Sequence, residues 1–311
     1  MSNYAISIMG PTASGKTSLG IKLAKELNGE IISVDSALIY KDMNIGTAKP
    51  TLKERDGVVH HLIDILDPKD SYSVASFRND TIKLYHEITS RGKVPILVGG
   101  TMMYFKAITE GLSNLPESTK EVRDEVNSII QNKGLNYLRE QLKLVDLDSY
   151  NRLNENDSQR LGRAYEVYLM TNKSMTQLLK EAPVYKAPFE LKEFALLPDR
   201  ERLDLKKVIT QRFNQMIEQG FEEEVRALFN RKDLNMDMPS IRSVGYRQMW
   251  QYFLGELSFE EMIERSIIAT CQLAKRQMTW LRGWKSKVTY LKPGDSANLE
   301  KMLLSLNSDQ E

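Results

Sequence analysis

The run Gly10-Pro11-Thr12-Ala13-Ser14-Gly15-Lys16-Thr17 constrains this chain more than any other feature, because it matches G-x-x-x-x-G-K-[ST] in the only context where that pattern has meaning. The apolar run Ala5–Met9 leads into it, and a helical pattern carrying Leu19, Leu23 and Leu27 follows. In a strand–loop–helix unit the glycines let successive backbone N–H groups turn inward around an anion, and the helix N-terminus adds its dipole. Lys16 then neutralises phosphate charge, and the Thr17 hydroxyl can ligate Mg²⁺. A chance glycine turn is the competing account, and the flanking strand and helix argue against it. The pattern reports a diphosphate without saying what hangs from it.

Short apolar runs alternate with helical patterns through the N-terminal third, the signature of βαβ units on a parallel sheet. Strands are expected at Ala5–Met9, Glu30–Val34, His61–Asp64 and Val94–Val98. Between the last two, a helix starts near Ser73, carries Phe77, Thr81, Leu84, Tyr85 and Ile88 on one face, and ends at Gly92. From Leu115 to Lys192 the β pattern gives way to polar, charged, helical periodicity. Glu193–Leu197, before Pro198, reads as a strand returning to the sheet, and Val288–Leu291 as a last one. The expected fold class is therefore α/β: a P-loop NTPase-like parallel-sheet core at 1–114 and 193–311 with a helical insertion domain at 115–192. The tail after Pro293 is expected to fray at its end.

Two further strand ends carry polar residues. Gly99-Gly100-Thr101 follows Val94–Val98 and precedes a helix bearing Met103, Tyr104 and Ile108; a tight βα turn would look the same. Asp35 ends Glu30–Val34 and could serve Mg²⁺, act as a general base, or cap a helix. In a parallel sheet such ends share the carboxyl edge, where ligands bind. Lys16, Asp35 and Thr101 on one edge argue for a site more strongly than any of them alone.

Composition matters here because the loop does not identify the partner. The 43 Lys+Arg and 42 Asp+Glu leave a formal net charge of +1, so any nucleic-acid site must be a local patch. A helix opening with the capping box Ser258-Phe259-Glu260-Glu261 and running to about Arg282 offers one. Ile263, Ile267, Thr270, Cys271, Ala274, Met278 and Leu281 fall on one stripe, with Arg265, Gln272, Lys275, Arg276, Thr279 and Arg282 opposite. From Cys271 to Lys287 inclusive there are five basic residues and no acidic one. Such charge usually means a solvated face, but an acid-free run in a nearly neutral chain favours phosphate binding. Arg160 and Arg163 also share a helix face, where pairing with Asp157 or Glu166 is the default. The single cysteine, Cys271, excludes an internal disulfide and a multi-cysteine zinc site, fits a reducing compartment, and reads as a small core residue. No stretch approaches a membrane span and Tyr4–Met9 is too short for a signal sequence, so a cytoplasmic protein without a membrane partner is expected.

The loop at 10–17, with ISVDSALIY (32–40), IGTAKP (45–50), LVGGT (97–101), QRLGRAYEV (159–167), SIRSVGYRQ (240–248) and LAKRQMTWLRGW (273–284), resembles the bacterial tRNA dimethylallyltransferases, the tRNA isopentenyltransferase family. These motifs span nearly the whole chain. The resemblance implies transfer of a dimethylallyl group from dimethylallyl diphosphate to N6 of the adenosine immediately 3′ of the anticodon. It further implies Mg²⁺ as cofactor, the tRNA anticodon stem-loop as partner, and a monomer. Carried over residue by residue, it makes Asp35 the acceptor of the amine proton and has Thr101 position substrate. Gly10 to Thr17, with Arg212 in the QRF run 211–213, would bind the diphosphate, Thr17 also reaching the metal. Asp35-Ser36-Ala37-Leu38, Thr101, Arg123, Gln159-Arg160-Leu161-Gly162-Arg163, Ser240-Ile241-Arg242-Ser243-Val244-Gly245 and Lys275-Arg276-Gln277-Met278-Thr279-Trp280-Leu281-Arg282 would touch tRNA. Eukaryotic relatives can carry a C-terminal zinc finger, which one cysteine cannot build.

The implied chemistry is self-consistent. An adenine N6 amine is a poor nucleophile, so the donor must be strongly electrophilic, and an allylic diphosphate becomes so as its C–O bond breaks. An anion nest and Lys16 suit the charge left on diphosphate, and a carboxylate within reach can take the amine proton, worth ~10²–10⁴ in rate. Leaving the anticodon stack costs a few kcal/mol, so an RNA grip beyond these residues is needed. A small-molecule ATP-binding kinase would share Gly10–Thr17 and Asp35 but leaves the basic helix and the insertion unexplained. A GTPase switch would need N-K-x-D, and Asn172-Lys173-Ser174-Met175 lacks the Asp. A non-catalytic RNA-binding module would not need Lys16 and Asp35.

Overall fold

Strand alternation builds the frame of the protein, seen here in a computed structural model that describes residues 4–113, 115–181, 183–198 and 205–308. Six strands, β1 (Tyr4–Met9), β2 (Gly29–Val34), β3 (His60–His61), β4 (Val94–Gly99), β7 (Glu190–Leu196) and β8 (Val288–Leu291), form one parallel sheet in the order β3-β2-β4-β1-β7-β8. Successive residues feed opposite faces. Ala5, Met9, Ile32, Val34, Leu97 and Ala195 pack under α3 (Val74–Ser90) and α4 (Met102–Thr109). Ile6, Ile8, Ile31, Ile96, Val98 and Phe194 pack under α1 (Lys16–Glu26) and α14 (Asn298–Ser308). Burial on both faces explains why these strands read as near-continuous apolar runs.

The chain forms two compact units, Met1–Thr109 with Ala187–Glu311, and Glu110–Lys186. In the first unit a second core lies beside the sheet. There α10 (Leu205–Glu218), α11 (Phe221–Phe229), α12 (Tyr246–Phe253) and α13 (Phe259–Arg282) pack around Phe213, Phe221, Tyr246 and Trp250, and take in Ile39, Tyr40 and Met43. A short helix, α2 (Leu52–Arg55), opens with a capping box from Thr51 and Glu54. The second unit holds α5 (Lys120–Lys133), α6 (Leu135–Val145), α7 (Leu147–Arg152), α8 (Ser158–Thr171) and α9 (Met175–Glu181) around Val126, Leu138, Leu142, Leu161 and Ala164. Its entry and exit are zipped together by β5 (Leu112–Ser113) and β6 (Val184–Tyr185), which pair antiparallel. Among the described residues no helix is long and apolar enough to cross a membrane.

Two local expectations are corrected, and a third falls on residues that are not described. The strand expected over His61–Asp64 stops at His61, because Leu62 (φ 59) and Asp64 (φ 56) are left-handed and curl the chain away. Asp64 and Ile65 N–H groups then bond to Leu38 and Ile39 carbonyls instead of extending the sheet. β7 begins at Glu190 rather than Glu193, since pairing with β1 runs back to Tyr4. After Pro293 the chain forms α14, which buries Met302 and Leu306; the expected frayed end, residues 309–311, lies outside the described residues.

Candidate active site

β1, β2 and β4 end level with one another because Met9 and Val34 both pair with Gly99. A Cβ on Gly99 would fall 2.0 Å from the Val34 carbonyl oxygen, so only glycine permits this register. Gly10, Asp35 and Gly100 therefore leave the sheet along one edge, over a cavity of about 1170 Å³.

From β1 the chain turns through left-handed Ala13 (φ 63) and Gly15 (φ 83) into α1, whose first residue is Lys16. Turned backbone of this kind makes an anion-binding concavity beside a helix N-terminus. Ser14 Oγ is buried without a partner among the described residues, an orphan that a phosphate oxygen would satisfy. Thr17 lines the cavity with its hydroxyl unengaged among the described residues. These observations fit a diphosphate together with Mg²⁺, which takes few protein ligands when phosphate oxygens supply the rest. Burial lowers the Lys16 pKa to about 8; Asp35 opposes that shift and Arg212 reinforces it. Lys16 Nζ donates to the Pro11 carbonyl at 3.2 Å.

Asp35 caps a turn and still faces the cavity. Its Oδ1 accepts from Ala37 N (2.8 Å) and Leu38 N (3.3 Å), while Oδ2 has no partner among the described residues. The capping bonds orient the carboxylate and leave one oxygen for other work. Thr101 is fastened to the same turn: Oγ1 accepts from Ser36 N at 3.1 Å, and its N–H donates to the Val34 carbonyl at 3.2 Å. Arg212, on α10, is half-buried in the cavity wall. Burial lowers its pKa from the usual arginine value, opposed by Asp35 and Glu54. Arg242 and Arg276 are exposed on the same wall and pair with no carboxylate among the described residues.

The structure thus brings Thr12–Thr17, Asp35–Leu38, Thr101, Arg212, Arg242–Gly245, Arg276, Gln277 and Trp280 to the cavity, with Gly10 and Pro11 buried just before the loop. On α13, Lys275, Arg276, Thr279 and Arg282 are exposed, opposite a stripe in which Ile267, Ala274, Met278 and Leu281 are buried. Cys271 is half-buried against the helical core. Arg123, Gln159 and Arg160 are exposed on the second unit, Arg160 pairing with Asp157 at 3.4 Å. Arg163 is tied inward, to the Pro116 carbonyl at 2.6 Å, to Ser118 Oγ, and to Glu166 at 3.8 Å.

Within the expected RNA-contacting set, several side chains are enclosed in the protein. Leu161, Gly162, Ser240, Ile241, Gln277, Met278 and Leu281 are buried, because each faces the core side of its helix or turn, and offers no side-chain surface to RNA. Met103 points outward into the cavity wall and is not a core residue of α4. Sequence reasoning also misses Glu224, whose carboxylate accepts from Asn44 N and Ile45 N (both 2.8 Å) and Gly46 N (3.2 Å), holding the turn that leads into the Gly46–Ala48 wall of the cavity. The one trace in the sequence is Gly46, where a Cβ would lie 2.1 Å from the Phe221 ring.

Fold and cavity together define an α/β protein with a turned loop at a helix N-terminus, a lysine and a carboxylate on one sheet edge. The family model for IPP transferase matches residues 38–284, and the chain belongs to that family as a transferase of prenyl groups. It is similar over 99% of its length, at 35% identity and a TM-score of 0.71, to the full-length tRNA isopentenylpyrophosphate transferase of Bacillus halodurans, covering 96% of that chain. The tRNA delta(2)-isopentenylpyrophosphate transferase of Staphylococcus epidermidis matches at 32% identity and a TM-score of 0.71, covering 99% of this chain and 100% of that one. A eukaryotic dimethylallyltransferase acting on tRNA matches at 26% identity and a TM-score of 0.82, covering 99% and 79%.

Proposed function

We propose that this protein transfers a dimethylallyl group from dimethylallyl diphosphate to N6 of the adenosine immediately 3′ of the anticodon in tRNA. The observation that carries the reading is the placement of Asp35 Oδ2, without a partner among the described residues, in one cavity with Lys16, Thr101 and Arg212, whose wall also carries the exposed Arg242 and Arg276. The Gly10–Thr17 loop, Lys16 and Arg212 hold the donor's diphosphate and stabilise the charge it acquires as the allylic C–O bond breaks. The N6 lone pair forms the new C–N bond, and Asp35 Oδ2 accepts the proton that N6 then loses. Thr101, bonded through Ser36 N to the Asp35 turn, keeps that carboxylate and the acceptor base in a fixed relation. Mg²⁺, held by Thr17 and the diphosphate oxygens, would supply further charge neutralisation on the leaving group.

The anticodon stem-loop is the acceptor, gripped by phosphate contacts from the exposed face of α13. Incubation with labelled dimethylallyl diphosphate and bulk tRNA, with and without ATP, tests the reading. Label in one modified adenosine, without ATP consumption, is the expected result; phosphorylation of a small molecule from ATP with no label in tRNA would overturn it.

A further inference from the structure

Gln277 sits between Arg276 and Thr279, both exposed on the basic face of α13, yet its own side chain is only 9% exposed and turns toward the sheet. Its amide joins two strand ends. Oε1 accepts from Thr12 N at 2.9 Å, and Nε2 donates to the Gly100 carbonyl at 2.9 Å. Since a backbone N–H only donates and a carbonyl only accepts, the amide orientation is fixed by its neighbours. Gly100 makes room for the bridge: a Cβ there would lie 2.4 Å from Gln277 Nε2 and 3.1 Å from the Gly10 carbonyl. One side chain therefore spans the anion loop and the residue that precedes Thr101.

From this geometry we infer that Gln277 is a positioning residue for the transfer. Through Thr12 and Gly100 it sets the diphosphate loop against the Thr101 strand end and ties both to the helix that carries the basic face. This inference rests on the donor reading above. It gives Gln277 a role distinct from an RNA contact, and the two roles make opposite demands. A positioning residue controls donor affinity when no RNA is present, whereas an RNA contact does not.

The test uses the whole protein with Gln277→Leu and Gln277→Glu, binding dimethylallyl diphosphate by calorimetry without tRNA, and tRNA separately across salt. Gln277→Leu should weaken donor binding ~10-fold or more, because both backbone partners are left unsatisfied, and should lower the single-turnover rate. Its tRNA affinity and salt slope should match the parent's. Gln277→Glu adds a pH readout. A neutral carboxyl can still accept from Thr12 N and donate to the Gly100 carbonyl, while the carboxylate sets negative charge against that carbonyl. Relative to the parent, donor affinity of the Glu variant should therefore recover as pH falls from about 8 to about 5.5. Weakened tRNA binding with parental donor affinity would overturn the inference, as would parental behaviour in both assays or a relative affinity flat with pH. Should Gln277→Leu lose its cooperative thermal transition, the pH response of Gln277→Glu decides alone. A parent protein that does not bind dimethylallyl diphosphate sinks the donor reading itself, before any variant is compared.

Discussion

At the level of single residues, Asp35 and Lys16 carry the sharpest expectations. Asp35→Asn keeps the turn-capping oxygen but removes the proton acceptor, so single-turnover transfer should fall at least ~10²-fold with tRNA affinity nearly unchanged. Near-parental transfer would leave Asp35 a cap only. Lys16 predicts a pH dependence. With its pKa lowered to about 8 in the free protein, the ammonium that would meet the diphosphate is lost as pH rises through that value. Affinity for inorganic diphosphate should then decline above about pH 8 by up to tenfold per unit, and Lys16→Met should abolish the slope. The stability effect has the opposite sign: because the folded pKa lies below the unfolded one, the unfolded chain holds more protons between about 8 and 10.5, and folding gains from rising pH in that window. Positions such as Lys16, Asp35 and Thr101 are legible from sequence because a strand end and its following residue are local facts. The backbone contacts of Glu224 and Gln277 are not, since the N–H and carbonyl groups they hold lie 178 to 180 and 177 to 265 residues away, and one sequence carries no record of such pairs.

Secondary-structure elements show the same divide between local pattern and tertiary choice. The strands flanking the cavity, the α3 face and the capping box of α13 are legible locally, and of the stripe expected on α13 Ile267, Ala274, Met278 and Leu281 are buried while Ile263, Thr270 and Cys271 are half-buried; Met262, Ser266 and Gln277, outside that stripe, are buried as well. The end of β3 is not legible, because the left-handed turn at Leu62 and Asp64 answers to the 38–40 segment rather than to its own sequence. β2 is anchored at its other end by Glu30, a buried glutamate hydrogen-bonded to His61 and Arg91 (both 2.7 Å) and Lys93 (2.9 Å). Burial alone would raise its pKa; Lys93, Arg91 and His61 outweigh that and bring it to about 2. The stability this supplies is present above the unfolded value near 4.5 and is lost as pH falls toward 2. Glu30→Gln should cost about 2 kcal/mol in urea unfolding at neutral pH, a figure held down by the 44% exposure of Arg91. It should also flatten the acid limb of the stability curve; an unchanged limb would show that the cluster contributes nothing.

For the molecule as a whole, net charge conceals where RNA would bind, and the exposed face of α13 is the place to ask. Replacing Lys275, Arg276 and Arg282 by Ala should weaken tRNA binding far more than donor binding, and about equally for non-cognate RNAs. The slope of log K against log salt should become shallower by roughly 0.7–0.9 per lost phosphate contact. Parental affinity and slope in the triple variant would move the grip elsewhere. Chain order has a consequence of its own for biosynthesis. β1 lies inside the finished sheet, yet one of its neighbours, β7, is made only after the whole 110–186 unit. At roughly 5–20 residues per second, a ribosome spends about 5–20 s between completing β4 and completing β7. Throughout that interval Tyr4–Met9, destined for near-complete burial, is an edge strand with an open row of hydrogen-bonding groups. The nascent chain is thus most exposed to aggregation in mid-synthesis, and slow translation of the second unit prolongs the hazard for the first.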